Sequence, residues 1–522
     1  MNIKSLWGKV RSQSTDEDKT PTEIVGTRKH IVMHAREEQL GINILGWHGG
    51  RPYINARLSR FAGETDIDWN GGKRGQFHVT GRREQAHNLP YLGRIVEKIN
   101  QYTFGVLPDR DGASEEILSD ITRTGESLDK VMGDVNSYIT ATRWCWMKVD
   151  APSTSDREVT EAQKKDEKIR PYWSVLSPLS IVDWKMDDAG NMLWVLEEWE
   201  DYRADDPRVQ PTLTLMRTLW EPLKITDYEL VKNEKGEESW AMQEEKPMPQ
   251  MTEVPIFPVG DISALPHFFD DTEGTNRAIM NLGSCNYSNF FRCVYPQLYL
   301  PASVLKTIME SFNVSADEAA NMILGLNYPI FIAEEDKEPG LLMPDAASIG
   351  TIRKEIMELV HEMFGTIGLI HQNQTTSVQS GISKEYDFQD IVGVVRERAT
   401  MLEDAEKKAI KLSQMYDPSF EAWEPKYNRT VSVGTAKDVI DSIVAGNMID
   451  MPIELKQLAL KKWFEHLKSL GNGQIAPEVQ EAILAAIGEW EEKEVQIPID
   501  VIPDADVIID SDDDDKDDDD DE

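Results

Sequence analysis

Ser180-Ile-Val-Asp-Trp184 and Met192-Leu-Trp-Val-Leu-Glu-Glu-Trp199, with Asp187-Asp188-Ala189-Gly190-Asn191 between them, decide how the middle of this chain is read. Both runs are rich in β-branched and aromatic residues, which suit a half-buried pleated surface. Gly190 and Asn191 tolerate positive φ, so the pair is expected to close as a β-hairpin. Further strands are expected over 212–220, 227–232 and 238–243. A weaker alternation, Trp144-Cys-Trp-Met-Lys-Val149, marks one more, ahead of a charged linker at 153–168. Helical spacing takes over on both sides of this strand-rich middle, which makes the fold class α+β.

Upstream, residues 1–22 are polar and expected to be mobile. A helix is expected over 23–38, a turn at Gly46, Gly49, Gly50 and Pro52, and a loop over 69–75. Leu89, Leu92, Ile95, Val96 and Ile99 place a helix over 85–103, and Ile117 to Ile139 place another over 114–140. Downstream, a helix over 271–292 is stopped by Pro296. Strands at 298–300 and 329–333 and short helices at 304–312 and 317–323 follow. Ile349, Ile352, Ile356, Leu359, Met363, Thr366 and Ile370 then keep a three-four repeat, one apolar stripe on a helix over 348–370. The amide- and hydroxyl-rich stretch 371–383 reads as an exposed loop. A third long helix covers 388–415 and ends at Asp417-Pro418. A strand over 420–433 and helices at 437–445, 453–470 and 477–490 complete the pattern, without an internal repeat.

The chain has 522 residues, enough for two to four domains, and a formal charge of −38. Residues 504–522 hold thirteen acids against Lys516, a net of −12, which leaves −26 on the remainder. Such a surface does not grip nucleic acid by neutralising phosphates, the source of most non-specific affinity. A conduit is different, because it must release what it passes. No apolar run is long enough to span a bilayer, and the first residues lack the apolar centre of a signal peptide. A cytosolic product with no membrane contact is expected. Cys145, Cys285 and Cys293 match neither metal nor disulfide spacing, and are read as reduced thiols.

Motifs for catalysis are missing. There is no phosphate-binding Gly-x-x-x-x-Gly-Lys loop, no Gly-x-Ser-x-Gly elbow and no His-Glu-x-x-His helix. His30, His34 and Glu37 fall on one helical face, but Lys29, Arg36 and Glu38 around them favour a solvated surface over a metal site. Asp66/Asp68 and Asp187/Asp188 are better read as loop and turn residues than as nuclease ligands. Asp270-Asp271 is expected to cap the helix that follows. The fourteen tryptophans are read as core and interface anchors before a sugar-binding surface. No catalytic, cofactor or metal site is expected.

The Trp-rich hairpin from Pro178 to Trp199 and the Gly381-Ile-Ser-Lys-Glu-Tyr-Asp-Phe388 run into a long helix carry a resemblance of architecture over about residues 82–494. In the order of its elements the chain resembles the portal proteins of tailed bacteriophages, the head-to-tail connector family. That resemblance implies a flexible N-terminus (1–22), a wing (23–268), a first stem helix (269–296), a clip (297–344) and a second stem helix (345–371). A tunnel loop (372–386), a long channel helix (387–416), a helical crown (417–494) and an acidic tail (495–522) would complete it. The charged linker and the Asp-rich tail depart from what every member would share.

From the same resemblance come the site expectations. Gln372, Asn373, Gln374, Thr375, Thr376, Ser377, Gln379 and Ser380 would face DNA in the channel. Leu298, Tyr299, Leu300, Phe331, Ile332, Glu334 and Glu335 would form the clip that docks a motor or adaptor. Ile349, Ile352, Ile356, Leu359 and Met363 would pack the stem. The implied partners are eleven further copies in a ring of twelve, the terminase large subunit, a head-tail adaptor, the major capsid and scaffolding proteins, and double-stranded DNA in transit. The implied location is the portal vertex of the virion. Two other classes stand against it: a metal-dependent phage nuclease, and an acidic protein that mimics DNA. The tail reads first as a solubilising disordered end, and second as a ring of acids that recruits a basic scaffold or holds DNA off the channel mouth.

Overall fold

The computed structural model describes residues 21–429 except 75–76, 153–167, 204–207, 209, 233–237, 295–296, 314, 316–329, 333–337, 344 and 367–380; beyond 429 it describes only Gln457, Lys461, Phe464, Leu484 and Ala485. The chain divides into two compact units, Met1–Val433 and Gly434–Glu522. The linker at 153–167, the helix expected at 317–323, the crown helices and the acidic tail lie outside the described residues, apart from those five positions.

Helices α1 (Pro21–Thr27), α2 (Ile31–His48), α3 (Gly50–Arg57) and the short α4 (Asp66–Asn70) open the first unit. The hairpin β1 (Gly71–Arg74) and β2 (Phe77–Thr80) leads to α5 (Arg82–Gln85), α6 (Tyr91–Thr103), β3 (Asp109–Asp111), α7 (Glu115–Ser119) and α8 (Leu128–Thr142). Strands β4 (Trp144–Asp150) and β5 (Tyr172–Leu176) precede a meander of β6 (Ile181–Met186), β7 (Met192–Arg203), β8 (Thr212–Glu221), β9 (Lys224–Lys232) and β10 (Glu238–Pro247). After β11 (Ile256–Gly260) come α9 (Phe268–Val294), β12 (Gln297–Pro301), α10 (Ala302–Phe312), β13 (Ile330–Ile332), β14 (Gly340–Leu342) and α11 (Ala346–Gly365). The long α12 (Gly381–Tyr416) and β15 (Glu424–Lys426) close it. The architecture is mixed helix and sheet, as the α+β reading expects.

The hairpin forms as read: β6 and β7 pair antiparallel, and the turn is closed by Gly190 at φ 83°. Asn191 needs no positive φ; its backbone and side-chain N–H groups donate to the Asp187 carboxylate instead. The five strands β6 to β10 run as one antiparallel meander in chain order. A second sheet, β11-β4-β5, explains the weak alternation of 144–149: both faces of β4 are covered. Trp144 and Trp146 join Trp184 and Trp220 on one side. Cys145, Met147 and Val149 pack with α8 and α12 on the other.

Several expected bounds move, each for a local reason. The helix expected over 23–38 breaks at Arg28–His30 and resumes to His48. His30 caps the new start, its ring stacked on Trp184 at 3.7 Å and its N–H donated to the Val182 carbonyl. Gly46 is thus inside a helix, and a Cβ there would lie 2.7 Å from Leu92 Cδ1; the turn itself uses Gly49 and Gly50 at positive φ. Of the expected loop 69–75, residues 69–74 are the end of α4 and strand β1, fixed by a Thr65–Asp68 capping box. Pro90 splits the helix expected over 85–103. A loop at 120–127, pinned by Gly125 N–H to Asp120, splits the one over 114–140. Of the strand expected over 420–433, the described residues form only Glu424–Lys426, paired with β3.

Gly260 sits at φ 100° where β11 meets the start of β4, and a Cβ there would lie 2.3 Å from the Arg143 carbonyl oxygen. Gly260→Ala is expected to cost about 2 kcal/mol or more, combining a left-handed backbone with a clash against main chain. Gly350→Ala, on an exposed face of α11 with nothing within 4 Å, is the control and should be neutral or stabilising. Urea midpoints of the two variants test the contrast.

Candidate assembly surface on the paired helices

Helices α9 and α11 form an antiparallel pair. Strand β12 follows α9, β14 precedes α11, and the two strands pair antiparallel from Gln297↔Leu342 to Tyr299↔Gly340. The last turn of α9 therefore lies beside the first turn of α11. Strand β13 adds to β12 in parallel, so β12 is the centre of a three-stranded sheet with α10 alongside.

At its base the pair is tied into the unit by buried charge and apolar packing. The Asp270 carboxylate accepts two bonds from Arg36, at 2.6 and 3.0 Å, one from Asn43 at 2.8 Å, and the His267 N–H. Asp270 and Asp271 thus lie in the first turn of α9, one turn later than a cap before the helix. Glu273, buried one turn on, accepts from Tyr53 and takes both Arg57 Nε and Nη2 at 2.9 Å. Arg82 reaches Ser284 Oγ at 2.8 Å and pairs with Glu64. Phe269 and Ile279 of α9 meet Val360, Met363 and Phe364 of α11 in one cluster with α6 and with Ile391 and Val395 of α12.

Toward the sheet the same helices change character. Tyr287, Phe290, Phe291 and Val294 are exposed, Phe290 by 53%. Their spacing of three and four puts them on one stripe of α9. Phe312 at the end of α10, Leu341, Leu342 and Met343 around β14, and Met357 on α11 are exposed as well. Monomeric proteins rarely leave so many large apolar groups bare on one projection unless a partner covers them.

The expected site residues divide accordingly. Met363 is buried, Ile356 and Leu359 pack against the core, and Ile349 and Ile352 are half-buried, so the stem stripe serves its own chain at one end. Leu298, Tyr299 and Leu300 lie on β12, with Leu300 buried. Phe331 and Ile332 occupy β13 opposite Leu300 and Pro301; Glu334 and Glu335 lie outside the described residues. So do Gln372, Asn373, Gln374, Thr375, Thr376, Ser377, Gln379 and Ser380. The expected loop is nonetheless shorter than 372–386, because α12 begins at Gly381. The stripe on α9 is not among the expected site residues: its spacing is visible in the sequence, its exposure is not.

The rejected metal candidates land as surface and cap residues: His30 stacks on Trp184, Glu37 pairs with Lys29, and Asp187 closes its turn. Among the described residues no group of three His, Cys, Asp or Glu side chains is placed to hold a metal ion. None of the described helices is long and apolar enough to cross a membrane.

No protein-family model matches this chain, and no curated protein does. The projection combines an anchored base, an exposed apolar stripe and a small sheet at the far end.

His267, just before α9, gives the base a pH dependence. Burial first, then the Arg398 charge, push its pKa from 6.5 down to about 3; Arg143 and Arg36 add to this and Asp270 opposes it. The unfolded chain takes up this proton as pH falls below about 6.5, while the folded chain waits until near 3. Stability is expected to fall across that window, by at most about 1.4 kcal/mol per pH unit from this group. Urea midpoints at pH 7, 5 and 4 should decline less steeply in His267→Asn than in the wild type.

Proposed function

We propose that this chain is a non-enzymatic subunit of a closed ring, in the manner of tailed-bacteriophage portal proteins, whose channel passes double-stranded DNA at one capsid vertex. The observation that carries the reading is the exposed stripe Tyr287, Phe290, Phe291 and Val294 on a projection whose base is locked by Asp270 and Glu273. In a ring each copy offers one flank to its neighbour and receives the opposite flank, so a head-to-tail contact that closes would cover such a stripe in every copy. The anchored base suits a part that must hold its angle while load passes along it.

Charge supports a conduit over a clamp. The chain carries −38, and a ring repeats that charge around its axis. With a Debye length of about 8 Å at physiological salt, a duplex in a narrow channel is repelled from every side and slides with few contacts to break. Packaging and ejection of DNA, docking of a terminase motor and later of an adaptor at the β12–β14 sheet, and contact with capsid and scaffolding proteins belong to the same proposal. Particle mass tests it. Twelve copies of a 59.3 kDa chain give a particle of about 700 kDa with a central hole in electron micrographs. A monomer in the purified, untagged protein would end the proposal.

A further inference from the structure

Between the C-terminal end of α11, the first half of α12 and the loop entering α9 lies a cavity of about 500 Å³. That is within the range of about 300–1,000 Å³ that holds small organic ligands. Ile99, Phe268, Ile391, Val395 and Met401 supply an apolar wall. One side chain on that wall is out of place. Arg398 is buried, its Nε has no partner, and among the described residues it makes no hydrogen bond and no ion pair. His267 adds a second buried polar atom without a partner, Nδ1. The remaining charged groups offset one another or face water. Arg143 is taken by Asp261, with Nε 2.9 Å from Oδ2, and by the Pro266 carbonyl; Glu397 is exposed at the rim.

A guanidinium held out of water without a counter-charge is strongly disfavoured, and so is a bare imidazole nitrogen. Burial lowers the Arg398 pKa to about 10, although the neighbouring Glu397 charge, which makes no contact with the guanidinium, opposes the shift. One anion would answer both groups: a carboxylate can take the planar guanidinium fork with its oxygens and accept from Nδ1 of the neutral imidazole. Only one guanidinium lacks a contacting partner, and the Glu397 charge already offsets it from a distance, which fits a monoanion better than a dianion. The apolar wall fits a hydrocarbon body better than water.

We propose that this cavity binds an organic monocarboxylate with an apolar body, its head on Arg398 and His267 and its body against Ile99, Ile391, Val395 and Met401. The proposal stands apart from the ring reading, since every residue in it belongs to one chain.

Calorimetric titration of the full-length protein with octanoate, octanol, acetate and inorganic phosphate tests it. Octanoate is expected to bind at least tenfold tighter than octanol or acetate and to raise the melting temperature. Arg398→Met should melt no lower than the wild type without ligand, because it removes an unpaired buried charge, and should bind octanoate no better than octanol. Val394→Trp narrows the same cavity without touching either polar atom and should weaken octanoate at least tenfold. Equal binding of octanoate and octanol to the wild type would overturn the site, and that comparison needs no variant. Phosphate binding as tightly as octanoate would overturn the choice of ligand.

Discussion

Glu406→Leu is expected to destabilise the protein by about 3–5 kcal/mol, the cost of stranding a buried charge by removing its partner. Glu406 lies in the middle of α12 with no exposed surface. Its carboxylate accepts from Arg110 Nε at 2.8 Å and Nη2 at 3.3 Å, from Trp423 Nε1 at 2.6 Å and from the Tyr427 hydroxyl at 2.8 Å. Arg110 is buried as well, and turns its remaining terminal nitrogen to Asp129 at 2.6 Å. Leucine fills similar volume but leaves the guanidinium with only the half-exposed Asp129 carboxylate as counter-charge, and leaves the indole N–H and the phenol without an acceptor. Burial foremost, then the Glu406 charge, hold the Tyr427 hydroxyl protonated far above its ordinary range, so the phenol cannot supply the missing charge. Arg110→Met alone should cost a similar amount for the opposite reason, a carboxylate left without its cation. The double variant Arg110→Met with Glu406→Leu should recover much of either loss, since two apolar groups need no pairing. Denaturant midpoints for the four proteins give the coupling. Additive losses in the double variant, or a loss below about 1 kcal/mol for Glu406→Leu, would mean the network does not hold α12 in place.

That network also marks where sequence reading stops. The meander and the long helices are legible because apolar residues repeat with a period of two or of three to four over many residues, and Gly190 punctuates the hairpin. Strand β3, Asp109-Arg110-Asp111, has no apolar alternation, and a charged triplet reads as solvated surface; its partner β15, Glu424-Pro425-Lys426, falls within the strand expected over 420–433. They pair because Arg110 meets Glu406, nearly three hundred residues away in sequence. Strand β11 escapes sequence reading since Pro258 argues against a strand; it lies at the edge of its sheet, paired only with β4, where a missing N–H costs least. The packing stripe on α11 is legible as a period, but the period says nothing about what covers it. Ile356, Leu359 and Met363 turn inward, while Phe290 on α9 stays exposed. Arg398 and His267 give no signal at all, being single polar residues in otherwise ordinary segments.

If the chain closes into the ring proposed above, Phe290→Asp is expected to abolish that assembly while leaving the subunit folded. Phe290 is more than half exposed in the single chain, so an aspartate there meets water and should change subunit stability by no more than about 0.5 kcal/mol. In a ring the same position would be covered. Losing a large aromatic at the centre of an interface costs about 2 kcal/mol or more, and a carboxylate enclosed without a partner adds to that. Closure multiplies the effect, because every interface carries the substitution: at about 2 kcal/mol each, twelve contacts lose on the order of 24 kcal/mol. The expected result is loss of the particle, with the far-ultraviolet circular dichroism and the urea midpoint of the subunit unchanged. Leu107→Asp provides the control, since Leu107 is even more exposed and lies in the loop between α6 and β3, outside the paired helices. It should assemble like the wild type. If Phe290→Asp still forms rings, the stripe on α9 is not the seam; if both variants fail, added charge is the cause and the position is not.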